Sequence, residues 1–143
     1  MVVVAAIGRP ERSKRVVREA KSLADAFEDD LTAVHVMSRS EFRDLQQRNF
    51  DDSGEPIKME RIREFAAGRA REAAEDVAGD VEAVGLLGDA SAEIVDYASE
   101  RGARYVVVGG RKRSPTGKAV FGSVTQSVLL NADVPVLTVM RND

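Results

Sequence analysis

Apolar residues in this chain fall into short dense runs, separated by longer stretches in which they recur every three or four positions. The runs are residues 2–7, 31–37, 81–86, 105–108 and 134–140. Short, valine-rich runs of this kind are what strands buried on both faces require. Between them, Val16, Ala20, Leu23, Ala24 and Phe27 mark a helix over 11–27, with Pro10 suited to its first turn. Met59, Ile62, Ala66, Ala70, Ala73 and Val77 mark a second over 57–77. Ile94, Val95 and Ala98 mark a third, which Asp89 or Ser91 can cap and which ends at Gly102. A fourth spans 123–131. Residues 39–56 are irregular, with Phe42, Leu45 and Phe50 among charges. They read as a long connection with one short helix over 41–47, the kind of segment that often serves as a lid.

The alternation of strand and helix predicts an α/β protein: a single domain over 1–143 built on a five-stranded parallel sheet with helices on both faces. In such open sheets a ligand sits beyond the carboxyl ends of the strands, where the strand order reverses. Two of those ends are marked by glycine, at Gly8 and at Gly109-Gly110.

Composition narrows the class. Hydrophobic residues make up 43% and charged residues 31% of the chain, which suits a globular protein and not a disordered one. No apolar run approaches the roughly 20 residues of a membrane span, and the absence of cysteine removes disulfides and thiolate metal sites. These features point to the cytoplasm and away from a membrane. Net charge is −3, but residues 101–143 carry +5 and the first hundred −8. Positive charge near the second glycine loop favours a small anionic ligand there, whereas the acidic remainder disfavours nucleic acid.

The chemistry concentrates in RYVVVGGRKRSPTGKAVFGSVTQSVLL, residues 104–130. Gly109 and Gly110 read as the end of the strand. A loop follows with Arg111, Lys112, Arg113 and Lys118, broken by Pro115 and Gly117, and Gly122-Ser123 opens a helix. A strand, a basic glycine loop and a helix start together make an anion cradle, since backbone N–H groups and the helix dipole point the same way. The one histidine, His35, reads as a neutral core residue held by a hydrogen bond. No histidine or cysteine cluster supports a metal site.

These residues resemble the universal stress protein family over essentially the whole chain. VVVAAIGRPERSKRVV is similar to the family's first strand and helix, AVHVM at 33–37 to its second strand, and GDASAEIVDYA at 88–98 to its third loop and helix. The resemblance implies a doubly wound sheet ordered 3-2-1-4-5, commonly dimerised through the fifth strand. It also implies an adenine-nucleotide loop of Gly, two residues, Gly, nine residues, then Gly with Ser or Thr. That register matches Gly109, Gly122 and Ser123 but puts Lys112 at the second glycine. Ile7 stands where the family usually has an aspartate that can contact the adenosine.

Carried over residue by residue, Gly109, Gly110, Gly122, Ser123 and Val124 would hold phosphate, with Arg111, Lys112 and Arg113 adding charge. Ala5, Ile7, Val36 and Val108 would line the nucleoside end. The ligand expected is ATP or another adenine nucleotide, with Mg²⁺ where ATP carries it. Val134, Val136, Leu137 and Val139 belong to an apolar last strand with no helix after it, and are expected to form a homodimer interface. Two functions are therefore expected: a nucleotide-binding stress-response protein, or an interaction module that binds no nucleotide and works through its dimer surface. Residues 117–119, Gly-Lys-Ala, are no P-loop, and no nucleophile–base pair is visible. The chain does not read as an enzyme, although slow ATP hydrolysis by electrostatics alone stays open.

Overall fold

The computed structural model describes residues 1–79, 81–112 and 119–141. The strands are β1 (Val2–Ile7), β2 (Asp30–Met37), β3 (Glu82–Leu87), β4 (Tyr105–Lys112), β5 (Ala119–Val120) and β6 (Val136–Arg141). The helices are α1 (Lys14–Phe27), α2 (Arg39–Ser53), α3 (Met59–Ala78), α4 (Ala90–Glu100) and α5 (Ser123–Asn131). Five strands pair in parallel in the order β3-β2-β1-β4-β6, which is the expected 3-2-1-4-5 with β6 as the fifth strand. The two-residue β5 was not foreseen; it pairs antiparallel with Arg111 and Lys112 at the end of β4.

Strand β1 lies at the centre, and its side chains alternate between two cores. Val3, Ala5 and Ile7 pack with Ala33 and Val107 under Val16, Val17 and Ala20 of α1 and Ala70, Ala73 and Ala74 of α3. Val2 and Val4 pack with Val34, Val36, Val106 and Val108 under Ile94 and Ala98 of α4 and Val128 of α5. Both faces are thus covered, as continuous apolar strands require. A smaller group, Met37, Ile62 and Ala66, is roofed by Phe42 and Leu45 of α2.

Several expectations are corrected. The stretch over 39–56 is mostly helix: α2 runs for 15 residues, capped by Ser38, whose side chain accepts from the Glu41 amide at 3.1 Å. Its thin apolar face, Phe42 and Leu45 half-buried over Met37, explains why spacing alone did not reveal it. Gly109 and Gly110 do not end their strand, because β4 continues to Lys112. The glycines admit close neighbours instead. A Cβ on Gly109 would meet Val16 Cγ2 at 3.3 Å, and one on Gly110 would meet Met140 Sδ at 2.9 Å and Phe121 Cδ1 at 3.1 Å. The first helix begins as a 3-10 turn, Pro10–Arg12, and becomes α1 only after Ser13, whose hydroxyl donates to the Arg9 carbonyl at 2.8 Å. Of the two possible caps for α4, Asp89 is the one used, accepting from the Ala92 amide at 3.1 Å.

Helix α3 approaches β3 through Gly85. A Cβ there would collide with the Arg63 carbonyl, the Ala67 amide and the Ala66 side chain. Two of the three are helix backbone, which cannot swing aside. Gly85→Ala is therefore expected to destabilise the protein by about 3 kcal/mol or more, read as a lowered midpoint in urea unfolding.

The amino ends of the strands are tied by Asp29, whose side chain is 3% exposed. Arg104 Nε donates to it at 2.6 Å, and the guanidinium carbon of Arg104 lies 4.2 Å from the centroid of the Phe27 ring. The Arg104 guanidinium holds the Asp29 carboxyl below its usual value of 3.8, against the opposing effect of burial. A depressed carboxyl binds its proton more weakly when folded. Its contribution is therefore present above pH 3.8 and is lost as pH falls through the lower folded value. Asp29→Asn should lower thermal stability at neutral pH and flatten the acid limb of the stability curve, as measured by circular dichroism melts across pH.

Candidate functional site

A cleft of about 620 Å³ opens beyond the carboxyl ends of β2, β1 and β4. This is the place where a doubly wound sheet admits a ligand, because connections leave to opposite faces there. Its floor and walls are largely hydrocarbon: Ala6 and Ile7 from β1, Val36 from β2, Val108 from β4, Val16 from α1, Ile94 from α4 and Val139 from β6. An apolar slot with polar groups at its ends is the usual form of a small-molecule site.

At the β4 end the cleft meets the start of α5. Gly122 is the N-cap, with φ −67° and ψ 166°, and no side chain caps the helix. The first amides of any helix lack intrahelical partners, so those of α5 offer N–H groups at this point. A Cβ built on Gly122 would meet nothing within 4 Å. Its backbone is ordinary and any residue could adopt it; what glycine provides is open space beside the helix start. The helix is anchored there by Thr125, whose hydroxyl donates to the Gly109 carbonyl at 2.8 Å, and by Gln126, whose Nε2 donates to the Phe121 carbonyl at 3.0 Å.

Cationic side chains come from the opposite wall. Arg9, Arg12 and Arg15, on the turn after β1 and the start of α1, all line the cleft. Arg15 also donates to the Met140 carbonyl at 2.7 Å, tying α1 to β6. At the β2 end stand His35 and Glu41. His35 is 6% exposed, and its Nδ1 lies 2.9 Å from the Ile7 carbonyl. A carbonyl can only accept, so Nδ1 carries the proton and donates. The other ring nitrogen, Nε2, is buried without a hydrogen-bond partner and lies 3.6 Å from a Glu41 carboxylate oxygen.

The expected site residues divide into three groups. Ile7, Val36, Val108, Gly109, Gly110, Gly122 and Val124 are brought together around the cleft. Ala5 is fully buried one step deeper, and its neighbour Ala6 reaches the cleft instead. Ser123 is the first residue of α5 and exposed, and it is not among the lining residues. Arg111 and Lys112 are placed by backbone alone, paired with Val120 and Ala119. Arg113, Pro115, Gly117 and Lys118 lie outside the described residues. The expectation of a core histidine held by a hydrogen bond is met through Nδ1 of His35. The sequence reading missed Arg9, Arg12, Arg15, Glu41 and Thr125. A signal for the first three was present, since they follow Gly8 at the end of a buried strand.

Comparison with known proteins agrees with this fold. The family model described as the universal stress protein family matches residues 1–140. The chain belongs to the universal stress protein family. A universal stress protein of Methanocaldococcus jannaschii is 26% identical over 130 residues, covering 90% of this chain and 75% of that protein. The stress response protein NhaX of Bacillus subtilis is 31% identical over 87 residues, a match that spans about half of that relative (52%) and 61% of this chain. Among solved structures, a universal stress protein from Archaeoglobus fulgidus is 30% identical with a TM-score of 0.60, covering 96% of this chain and 97% of its own. Two further structures share the fold at 22% identity. One is a universal stress protein in complex with cAMP, with TM-score 0.61 and coverage of 98% and 96%; the other is a universal stress protein from Archaeoglobus fulgidus in complex with dAMP, with TM-score 0.57 and coverage of 96% of both chains. Among the described residues of this family member, no helix is long and apolar enough to cross a membrane, and no three His, Cys, Asp or Glu side chains gather as a metal site.

Proposed function

We propose that this universal stress protein binds an adenine nucleotide in the cleft, as a stress-response protein acting by binding and not by catalysis. The observation that carries the reading is Gly122: an uncapped helix start with empty space beside it, opening on an apolar slot. Phosphate would sit against the first amides of α5, with Arg9 and Arg12 facing it and Gly109, Gly110 and Val124 admitting it closely. The base would lie in the slot made by Ile7, Val36, Val108 and Ile94. Solved relatives in complex with cAMP and dAMP support the ligand class. Glu41 is the sole carboxylate lining the cleft among the described residues, and it lies at the end away from α5. Any Mg²⁺ would therefore arrive with the phosphates of ATP and be held by them.

Calorimetric titration of the purified protein with AMP and ATP tests the reading. Binding should weaken as salt rises. Gly122→Val should keep the melting temperature, since its Cβ enters open space and its backbone is extended. It should lose at least a tenfold share of affinity by filling the phosphate position, a change of about 1.4 kcal/mol. Full affinity in a folded Gly122→Val protein would remove phosphate from this place.

A second reading, a module that binds no nucleotide, is favoured by one feature. Lys112, where the family's second glycine belongs, is held in a paired strand with Ala119. Under both readings the protein works as a homodimer through β6, an edge strand, with exposed apolar side chains nearby in sequence at the end of α5, Leu129 at 41% and Leu130 at 84% exposure. Val139 is already buried within its own subunit and Leu137 packs on the same core, so neither would be a clean probe of the interface. Leu130→Asp should shift the protein from dimer to monomer in light scattering at micromolar concentration without lowering its melting temperature.

A further inference from the structure

The chain path after β1 sets the charge of the cleft wall opposite α5. Pro10–Arg12 is a 3-10 turn that runs on into α1. Residues three apart stand over one another in such a turn and stay close in the first turn of an α-helix. Arg9, Arg12 and Arg15 recur at that interval, and all three line the cleft. The turn is held by the Ser13 hydroxyl and the Arg12 amide, which donate to the Arg9 carbonyl at 2.8 and 3.0 Å. Elsewhere on α1 the lysines are paired, Lys14 with Asp76 at 3.3 Å and Lys21 with Asp25 at 2.9 Å. Among the described residues, no carboxylate lies within ion-pair distance of the three cleft arginines. A guanidinium does not lose its proton in a protein, so this wall carries fixed positive charge that the fold leaves unbalanced.

We infer that Arg9 and Arg12 hold the outer phosphates of a nucleoside triphosphate directly, in the role a metal ion would otherwise have, so that the site takes the metal-free nucleotide. This deepens the nucleotide reading above and rests on it. A first phosphate on the α5 amides leaves the others to run across the cleft mouth toward the turn after β1. There the guanidinium forks can bond phosphate oxygens in pairs, which an ammonium cannot do. Arg15 is committed to the Met140 carbonyl at 2.7 Å and adds charge alone. A protein-held Mg²⁺ does not fit this wall. Mg²⁺ takes oxygen ligands, and Glu41, the one carboxylate lining the cleft among the described residues, stands at the β2 end. The arginines also repel a second cation. Metal and arginines therefore compete for the same phosphate oxygens.

Calorimetry with AMP and ATP, each in EDTA and again with excess MgCl₂, tests this on the parent and on the double variant Arg9→Gln with Arg12→Gln. Both arginines are exposed, so the variant should keep the melting temperature of the parent. The parent should bind metal-free ATP about tenfold or more tightly than AMP. Mg²⁺ should weaken ATP and leave AMP unchanged, a readout that needs no variant. The double variant should bring the ratio of ATP to AMP affinity toward one and remove the penalty from Mg²⁺. Equal affinity of the parent for AMP and metal-free ATP overturns the inference and leaves nucleotide binding standing. So does a preference for ATP that arises only with Mg²⁺, or a ratio unchanged in the double variant. Binding of neither nucleotide removes the nucleotide reading and this inference with it.

Discussion

Everything in the candidate site hangs from the carboxyl end of β1. That strand is hydrogen-bonded on both edges, to β2 and β4, and its side chains feed the cores on both faces. A strand so enclosed cannot shift without opening two cores, and its last residue, Ile7, is still paired with His35 of β2. Ile7 uses that position twice. Its side chain closes the core against α1, and its carbonyl orients the His35 ring. The chain then turns at Gly8 and presents Arg9, Arg12 and Arg15 along the wall. Neighbouring strands supply the two ends, the helix start of α5 beyond β4 and His35 with Glu41 beyond β2.

The fold was largely legible because its strands are apolar on both faces. Runs such as residues 2–7 and 105–108 leave few alternatives to a covered parallel sheet, and the spacing of Val16, Ala20 and Ala24 gave α1 a face to lay on it. The strand order came from the resemblance and agrees with the observed pairing. What failed was punctuation. Gly109-Gly110 reads as a stop because glycine usually breaks a strand, yet here the missing Cβ atoms make room for Val16, Met140 and Phe121 while the strand continues. Helix α2 failed for the opposite reason. Its evidence was a capping signature, Ser38 followed three residues later by Glu41, and not an apolar stripe.

The site was half legible, and the missing half is electrostatic. Summing charge over the first hundred residues gives −8 and hides three arginines that the turn after β1 gathers at one wall. Charge acts through position within a Debye length of roughly 8–10 Å, so a block average carries little information about a cleft. Of the basic loop that dominated the sequence, residues 113–118 lie outside the described residues. Arg111 and Lys112 are fixed there by their pairing with β5. Gly122 was found for a sound reason, but its role is the space beside it and not its backbone freedom, since its φ of −67° suits any residue.

His35 shows why a residue type does not determine a role. A lone histidine inside a strand is most simply a core residue with one hydrogen bond, and Nδ1 fits that description. An imidazole has two nitrogens, and burying both requires two partners, because an unsatisfied buried polar atom costs about 1–3 kcal/mol. The fold provides one partner and leaves the other nitrogen buried, 3.6 Å from a Glu41 carboxylate oxygen. A cost of that size is retained where something repays it. With Ile7 leaving the middle of the cleft apolar, its polar groups stand at the ends, the helix start and the arginines toward one and His35 with Glu41 at the other.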